Sequence, residues 1–469
     1  MMHLVLGAIL MGASLGAQTP AGALPVIQVE DVIESVRQRY PPLLAALAER
    51  EIADGEAISA EGRFDTSLRS RFDSDSFGYY TNQRADAWVE QPLSWQGMSL
   101  YSGYRVGEGD YATYDGKLAT RSLGEARAGF RLPLFRDREI DSRRGELAKA
   151  RIGRKLASLA VDQQKLIVLQ SAISRYWTWV ALGRRLTVTR EVLQTAEARQ
   201  KLLEEAVRAG QTPRIEAVDN ERAILQRRSG LIEAERAFQQ SAIELSLFYR
   251  DPSSGAPVTA VIQQVPARSP EPTRLRAEDL AADQRIALER RPELRRLEAQ
   301  AGQNDVDVRM ARNAAKPAVD LVAGFTAESG TGPAIRRGPQ ELKAGLSFDF
   351  PLQNRAARGR ERVAEAKGRQ LEIRAGFLRD QIAAEVQDAY SAVRAAHDRL
   401  RLLGDEVRVS RELEDAERSR FELGEGTLFV LNLREQATLD AAVREALAQA
   451  DYQRARAGYD YATGALADR

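Results

Sequence analysis

No proline interrupts the chain between Pro133 and Pro213, and none follows Pro351 to the last residue. Proline inside a helix removes a hydrogen bond and clashes with the preceding turn, so its absence over such lengths leaves a continuous helix open. The apolar spacing turns that permission into an expectation. Leu159, Leu166, Ile173 and Val180 recur every seven residues, and Ile382, Val386, Ala389, Val393, Ala396, Leu400, Leu403 and Val407 step alternately by four and three. This is the seam of helices packed knobs-into-holes. The double step of four from Leu378 through Ile382 to Val386 is a stutter that relaxes the supercoil locally. Gly210 and Gly424 stand where each run should stop, because glycine accepts the left-handed conformation that ends helices. The spacing predicts long helices over 136–209 and 354–423, each of about 70 residues and, at about 1.5 Å per residue, roughly 105 Å long. No compact single domain holds such an element.

The two long runs belong to a tandem duplication. Tyr40-Pro41-Pro42-Leu43 recurs as Arg291-Pro292-Glu293-Leu294, and Pro133-Leu134 as Pro351-Leu352. In register with the second pair, Arg144, Ala148 and Lys149 match Arg362, Ala366 and Lys367. Ala209-Gly210 recurs as Leu423-Gly424, and in register with it Glu221, Ala223 and Leu225 match Glu435, Ala437 and Leu439. The first repeat, 24–250, is expected to hold a helix over 41–62, strands within 63–135, the long helix 136–209 and a return helix 214–250. The second, 275–469, repeats this with a helix over 292–316, strands within 317–350, the long helix 354–423 and a return helix 428–466. Pro252, Pro257, Pro266, Pro270 and Pro272 crowd the stretch between the repeats, 251–274, which reads as an extended linker. In each repeat two shorter helices laid end to end approach the length of the long one.

The strand regions alternate in character. Phe64 to Phe72 and Leu342 to Phe350 alternate small or apolar with charged and polar residues, and Val319, Leu321, Ala323 and Phe325 line one face of a third segment. Strands of about ten residues with one greasy and one polar face suit a membrane barrel, and a half-buried soluble sheet shows the same alternation. The second repeat carries two strands, 317–328 and 340–350, around a polar loop with Gly330, Gly332 and Pro333. The first carries four, near 64–75, 86–94, 98–107 and 120–135. Trp88, Trp95, Tyr101 and Tyr104 suit interfacial aromatics and equally ordinary packing.

Composition excludes more than it assigns. The 68 basic and 67 acidic residues leave a net charge of +1, which argues against a nucleic-acid binder. There is no cysteine, and the two histidines are His3 and His397. Thiolate and histidine-built metal sites and a cysteine nucleophile are therefore excluded. Gly424-Glu425-Gly426-Thr427 lacks the Lys-Ser/Thr of a phosphate loop and reads as a turn. Paired carboxylates such as Glu204-Glu205 are ordinary in a chain this charged. No cofactor is implied. Leu4 to Leu15 form an apolar run of signal-core length, and Ala21-Gly22-Ala23 offers small residues at cleavage spacing, with Ala17 a second candidate, so 1–23 is expected to be a signal peptide. No later apolar run reaches about 18 residues, the length of a membrane helix, so any membrane span must be a β-barrel.

This order of signal, helix, strands, long helix, glycine turn and return helix, given twice, resembles the TolC-like outer-membrane efflux family. Its specific pieces are Arg291-Pro292-Glu293-Leu294 running on to Ala311-Arg312 and Pro317, Pro133-Leu134-Phe135, and Phe421 to Thr427 with Leu439. The resemblance implies a mainly α chain with membrane β structure. Three protomers would form one transmembrane β-barrel and one long periplasmic α-barrel of coiled-coil helices. It implies a non-enzymatic outer-membrane channel serving efflux or type I secretion, with a periplasmic adaptor, an inner-membrane pump of the RND or ABC type and outer-membrane lipid as partners. The glycine turns, with Gly210, Thr212, Gly424, Gly426 and Thr427, would form the tips where the adaptor docks.

Two departures stand out. Members usually carry two strands per repeat, and an extra first-repeat hairpin would either widen the barrel or lie outside it. The best-known member closes its entrance with acidic rings just past the second tip glycine. Val430 and Leu433 occupy the matching positions here, with Asn432, Arg434 and Glu435 as nearby polar candidates for the constriction. A periplasmic adaptor is the alternative with one helical hairpin rather than two. A soluble periplasmic coiled-coil scaffold leaves the strands and the signal unexplained.

Overall fold

The computed structural model describes residues 24–111, 119–331 and 339–468. The expected signal peptide, and Gly332 and Pro333 of the second-repeat loop, lie outside these residues. Fourteen helices and strands follow in order: α1 (Val29–Arg39), α2 (Pro41–Glu61), β1 (Ser67–Asp75), β2 (Asn82–Pro92), β3 (Ser99–Gly109), β4 (Glu125–Pro133), α3 (Ser142–Arg208), α4 (Arg214–Ser246), α5 (Leu280–Arg290), α6 (Pro292–Ala314), β5 (Ala318–Glu328), β6 (Gln340–Asp349), α7 (Arg355–Glu422) and α8 (Leu428–Ala462). The long helices hold 67 and 68 residues.

The seams are buried as their spacing implies. Leu159, Leu166, Ile173 and Val180 on α3 are buried, as are Ile382, Val386, Val393, Leu400 and Val407 on α7. The intervening Ala389, Ala396 and Leu403 are half-buried.

Helix ends differ from expectation for local reasons. The first long helix starts at Ser142 rather than 136, because Asp137 takes a left-handed φ of 70°. Asp141 then caps the helix, its carboxylate accepting from the Arg144 amide at 2.8 Å. The second starts at Arg355, after Asn354 at φ 45°, whose side-chain amide donates to the Ala315 carbonyl at 2.8 Å. Asn and Asp tolerate this region better than other residues with a Cβ. The return helices stop at Ser246 and Ala462, short of 250 and 466, and Gly464 at φ 76° follows the second.

Two helices are additions to the sequence reading. α1 and α5 each end one residue before a proline-led helix, at Tyr40 and Arg291, both extended. A residue before proline is pushed out of the helical region, so each pair breaks there instead of running on. The linker between the repeats holds a short 3-10 turn, Ile262–Gln264, ahead of the turn Ala277–Asp279, and Pro257 in it bridges to Arg250.

The chain divides into two compact units, α3 changing unit at Ala172 and α7 at Asp398. In the unit that holds the sheet, α2 contacts the first part of α3 through Asp54 and Arg154, 2.6 Å apart. There α3 contacts α6 through Lys149 and Asp307 at 3.0 Å, and the Asn304 amide of α6 donates to the Ala364 carbonyl of α7 at 3.0 Å. In the other unit the Asn220 amide of α4 donates to the Ala196 carbonyl of α3 at 3.0 Å. The Thr438 hydroxyl of α8 donates to the Ser410 carbonyl of α7 at 3.2 Å. The same α-helical layering thus recurs in each unit, with apolar seams between heavily charged outer faces.

All six strands form one antiparallel sheet in sequence order, β1-β2-β3-β4-β5-β6. The extra hairpin β2–β3 sits inside this sheet, between β1 and β4. β4 pairs with β5, so the sheet joins the two repeats.

Candidate functional site: a two-faced sheet and two glycine tips

Strand register separates the sheet into two chemically distinct faces. Arg71, Asp86, Arg105, Glu125 and Glu328 are successive cross-strand partners from β1 to β5, so they share one face. The Asp86 carboxylate accepts from Arg127 at 2.6 Å and from Arg84 at 3.4 Å, Arg105 pairs with Glu125, and Arg131 with Asp320 at 2.5 Å. Asp86, Glu125 and Asp320 are buried under these arginines, which is how a low-dielectric site tolerates carboxylates.

Glycine makes this face possible. Gly103 lies between Trp88 and Arg127 in the register, leaving room for the Arg127 guanidinium to reach over the Trp88 ring, 5.3 Å from its centroid. The Tyr101 hydroxyl lies 2.5 Å from where a Cβ on Gly129 would stand and 2.6 Å from one on Gly324. A side chain at either glycine would displace the ring. Trp88 and Tyr101 therefore pack on the polar face. Tyr104 is on the opposite face, and Trp95 lies in the β2–β3 turn.

The opposite face is apolar and open. It carries Phe72, Val89, Leu100, Tyr104, Phe325 and Leu346, all exposed, with 67% of Phe72, 45% of Phe325 and 70% of Leu346 accessible. An apolar surface spanning six strands is far beyond the scattered exposed hydrophobics of ordinary soluble surfaces. The strands hold 9 to 11 residues. At about 3.3 Å per residue and a tilt near 40°, such strands cover an apolar band about 25 Å tall. Among the described residues no helix is long and apolar enough to cross a membrane, and no cluster of His, Asp and Glu is arranged to hold a metal ion.

The tips are built alike. Gly210 and Gly424 have φ of 71° and 77°. The Gln211 amide donates back to the Ala206 carbonyl and the Gly210 amide to Val207. In the second repeat the Glu425 amide donates to Arg420 and the Gly424 amide to Phe421. These paired bonds make the Schellman motif, repeated residue for residue. Thr212 is a half-buried turn residue, and the Thr427 carbonyl accepts the Leu431 amide while its hydroxyl caps α8 by accepting from Val430 at 3.4 Å. Gly426 is held close, a Cβ there meeting the Glu417 carboxylate at 2.9 Å. Between the starts of α4 and α8 lies a groove of about 440 Å³, lined by Ile215, Val218, Leu428 and Phe429 with Asp219 and Arg222 at its rim.

The five constriction candidates divide between two sides of α8. Leu433 is exposed (56%), and Val430 and Arg434 are half-buried. Asn432 and Glu435 are buried in helix contacts rather than exposed. Arg199 of α3 donates to the Asn432 side-chain oxygen at 3.1 Å and pairs with Glu435, and Arg227 of α4 donates to Glu435 at 2.8 Å. Burial pushes the Glu435 carboxyl up, but hydrogen bonds and charge from Arg199 and Arg227 outweigh it and hold the group below the ordinary carboxylate range. The triad has no signal in the sequence because its members sit on three helices; Glu435 stands out there only through its repeat match with Glu221 and as a polar candidate for the constriction, and the structure commits it to the two arginines instead.

The comparisons agree with this architecture. Residues 285–465 match the family model described as outer membrane efflux protein. No curated protein sequence matches the chain. Among solved structures, the open state of the Neisseria gonorrhoeae MtrE outer membrane channel is similar, at 16% identity and a TM-score of 0.64, covering 93% of this chain and 88% of that one. The Campylobacter jejuni CmeC outer membrane channel is similar at 14% identity and a TM-score of 0.63, over 93% and 85% of the two chains. The outer membrane protein VceC from Vibrio cholerae gives 15% identity and a TM-score of 0.63, over 93% and 96%. Such identities speak for the fold, whereas the family match rests on the second repeat. The second repeat thus matches the outer membrane efflux protein model, and along nearly its whole length the chain has the fold of these outer-membrane channels.

Proposed function

We propose that the protein is a passive export duct of the outer membrane, reaching into the periplasm and working as a trimer. The observation that carries this reading is the two-faced sheet. A face of Phe, Leu, Val and Tyr left open to solvent is unstable in water and stable against lipid, while an Arg–Asp face suits a water-filled lumen. Six strands are too few to close around such a lumen, so several copies must share the barrel. Three copies follow the arrangement of the efflux channel family.

The paired Schellman tips and the apolar groove beside Phe429 are the surface offered to a periplasmic adaptor, which couples the duct to an inner-membrane pump of the RND or ABC type. Nothing in the site performs chemistry on cargo. The polar face stabilises water and solutes, and energy comes from the pump. An adaptor has one helical hairpin, whereas this chain has α3–α4 and α7–α8 and a membrane-competent sheet. A coiled-coil scaffold gives no reason for the apolar face.

Membrane fractionation followed by native mass measurement and planar-bilayer recording tests the reading. The expected result is a species extracted only by detergent, three protomers in mass, that conducts ions. A protein released by salt or alkaline washing, or a stable conducting monomer, overturns it.

A further inference from the structure

Among the described residues the sheet ends on both sides without a partner strand: β1 pairs only with β2 and β6 only with β5. Both edges are flanked by exposed apolar side chains, Leu68 and Phe72 on β1 and Leu342, Leu346 and Phe348 on β6. A sheet edge with unpaired amides and carbonyls cannot stand against lipid, where no water replaces the missing bonds. Each edge must therefore be covered.

The sheet cannot cover its own edges. With strands about 4.8 Å apart and tilted about 40°, a six-stranded barrel has a backbone radius of only about 6 Å. The polar face carries Trp88, Tyr101 and the long arginines, which such a radius has no room to hold. The remaining partner is the opposite edge of another copy. The strand count suits it: six is even, so β6 runs opposite to β1, and a β6–β1 seam continues the antiparallel order seen at every other pairing.

Resting on the trimeric channel reading, we infer that β6 of each protomer pairs with β1 of the next, closing an eighteen-stranded barrel. The inserted hairpin β2–β3 supplies one third of its wall. By the same geometry that barrel has a backbone diameter of about 36 Å, against about 24 Å for four strands per copy. The cross-section is then roughly doubled. The hairpin brings with it Asp86, Trp88, Tyr101 and Arg105 of the polar face, so it extends the charged lining of the lumen as well as its girth.

The test uses the absence of cysteine from the chain. Ser70 of β1 lies on the apolar face with Phe72, and Leu342, Ala344 and Leu346 of β6 lie on that same face. Ser70→Cys is combined in turn with Leu342→Cys, Ala344→Cys and Leu346→Cys, and outer membranes are oxidised. Only directly apposed strands bring Cα atoms within the roughly 4.4–6.8 Å a disulfide spans. At least one pair should yield covalent dimers and trimers, absent from either single variant. As a measurement free of substitutions, cryo-electron images of the unmodified trimer in nanodiscs should show a barrel ring of about 36 Å. A trimer that gives no cross-link at any of the three pairs and a ring near 24 Å overturns the eighteen-stranded barrel and leaves the channel reading standing. Extracted protein that is not a trimer overturns both.

Discussion

Arg227 and Glu435 lie 2.8 Å apart with 3% of each side chain exposed. Arg199 reaches the same carboxylate from α3, so three helices of one unit meet on a single buried acid. Removing the acid leaves two arginines desolvated and unpaired, a class of change that costs about 3–5 kcal/mol. Glu435→Ala should therefore lower the thermal unfolding temperature of the extracted protein markedly, and Glu435→Gln less, since an amide still accepts. An unchanged unfolding temperature for Glu435→Ala would show that the three helices are held by their apolar seams alone.

The same group sets a pH dependence. Its carboxyl is held below the ordinary range when folded, so its stabilisation is complete above the unfolded value and is lost as pH falls through the lowered folded value. Melting curves between neutral pH and about pH 3 should show the unmodified protein losing more stability on acidification than Glu435→Gln, which has no proton to take up there. Parallel losses in the two proteins would assign the acid sensitivity to other carboxylates.

The tip glycines have open space where a Cβ would stand, with nothing within 4 Å at either position. A substitution there meets no clash and suffers only the left-handed backbone, about 1–2 kcal/mol per residue. Gly210→Val and Gly424→Val should leave trimer assembly intact and impair efflux through the adaptor contact. Normal drug or solute export by both variants, with normal protein levels, would remove the tips from the docking surface.

Neighbouring residues on β5 separate the two faces of the sheet. Phe325 pairs with Ala128 and Leu342 on the apolar face, and Thr326 with Arg127 and Glu341 on the polar face. Phe325→Arg should cost about 2–4 kcal/mol near the bilayer midplane, less near its edge, and reduce assembled trimer in the outer membrane fraction. Thr326→Arg places the same charge in the lumen and should assemble normally. Equal assembly of both would mean that the apolar face is covered by something other than lipid.

Much of this architecture was legible in residues. The proline-free runs and sevenfold spacing of Leu159 to Val180 gave the long helices, because helix packing imposes that period on sequence. Gly210 and Gly424 marked the tips, because few other residues accept φ near 70°. The parity of Trp88 with Asp86 and Glu90 carries its place on the polar face, because residues two apart on a strand share a side. The helices α1 and α5 stayed hidden because proline reads as a helix start and conceals a helix ending just before it. Asp137 and Asn354 shortened the long helices through backbone conformations that composition does not encode. The Arg199–Glu435–Arg227 contact has no local pattern at all, since it joins three helices.

The entrance is the sharpest remaining expectation. Val430 and Leu433 lie three residues apart on α8, and the buried Asn432 and Glu435 hold the side turned towards α3 and α4. On the trimeric channel reading, Leu433, 56% exposed in the protomer, is the candidate to meet its copies at a threefold constriction. An apolar constriction resists ions by dewetting and offers no fixed charge to a cation, whereas close carboxylates bind divalent ions. Conductance of the reconstituted channel should therefore be nearly insensitive to millimolar magnesium or calcium. Val430→Asp and Leu433→Asp should each create block, with the larger effect at Leu433. Strong divalent block of the unmodified channel from the tip side would place a carboxylate ring elsewhere. Glu435 is committed to two arginines, so Glu425, exposed in the second tip turn, would be the first to replace.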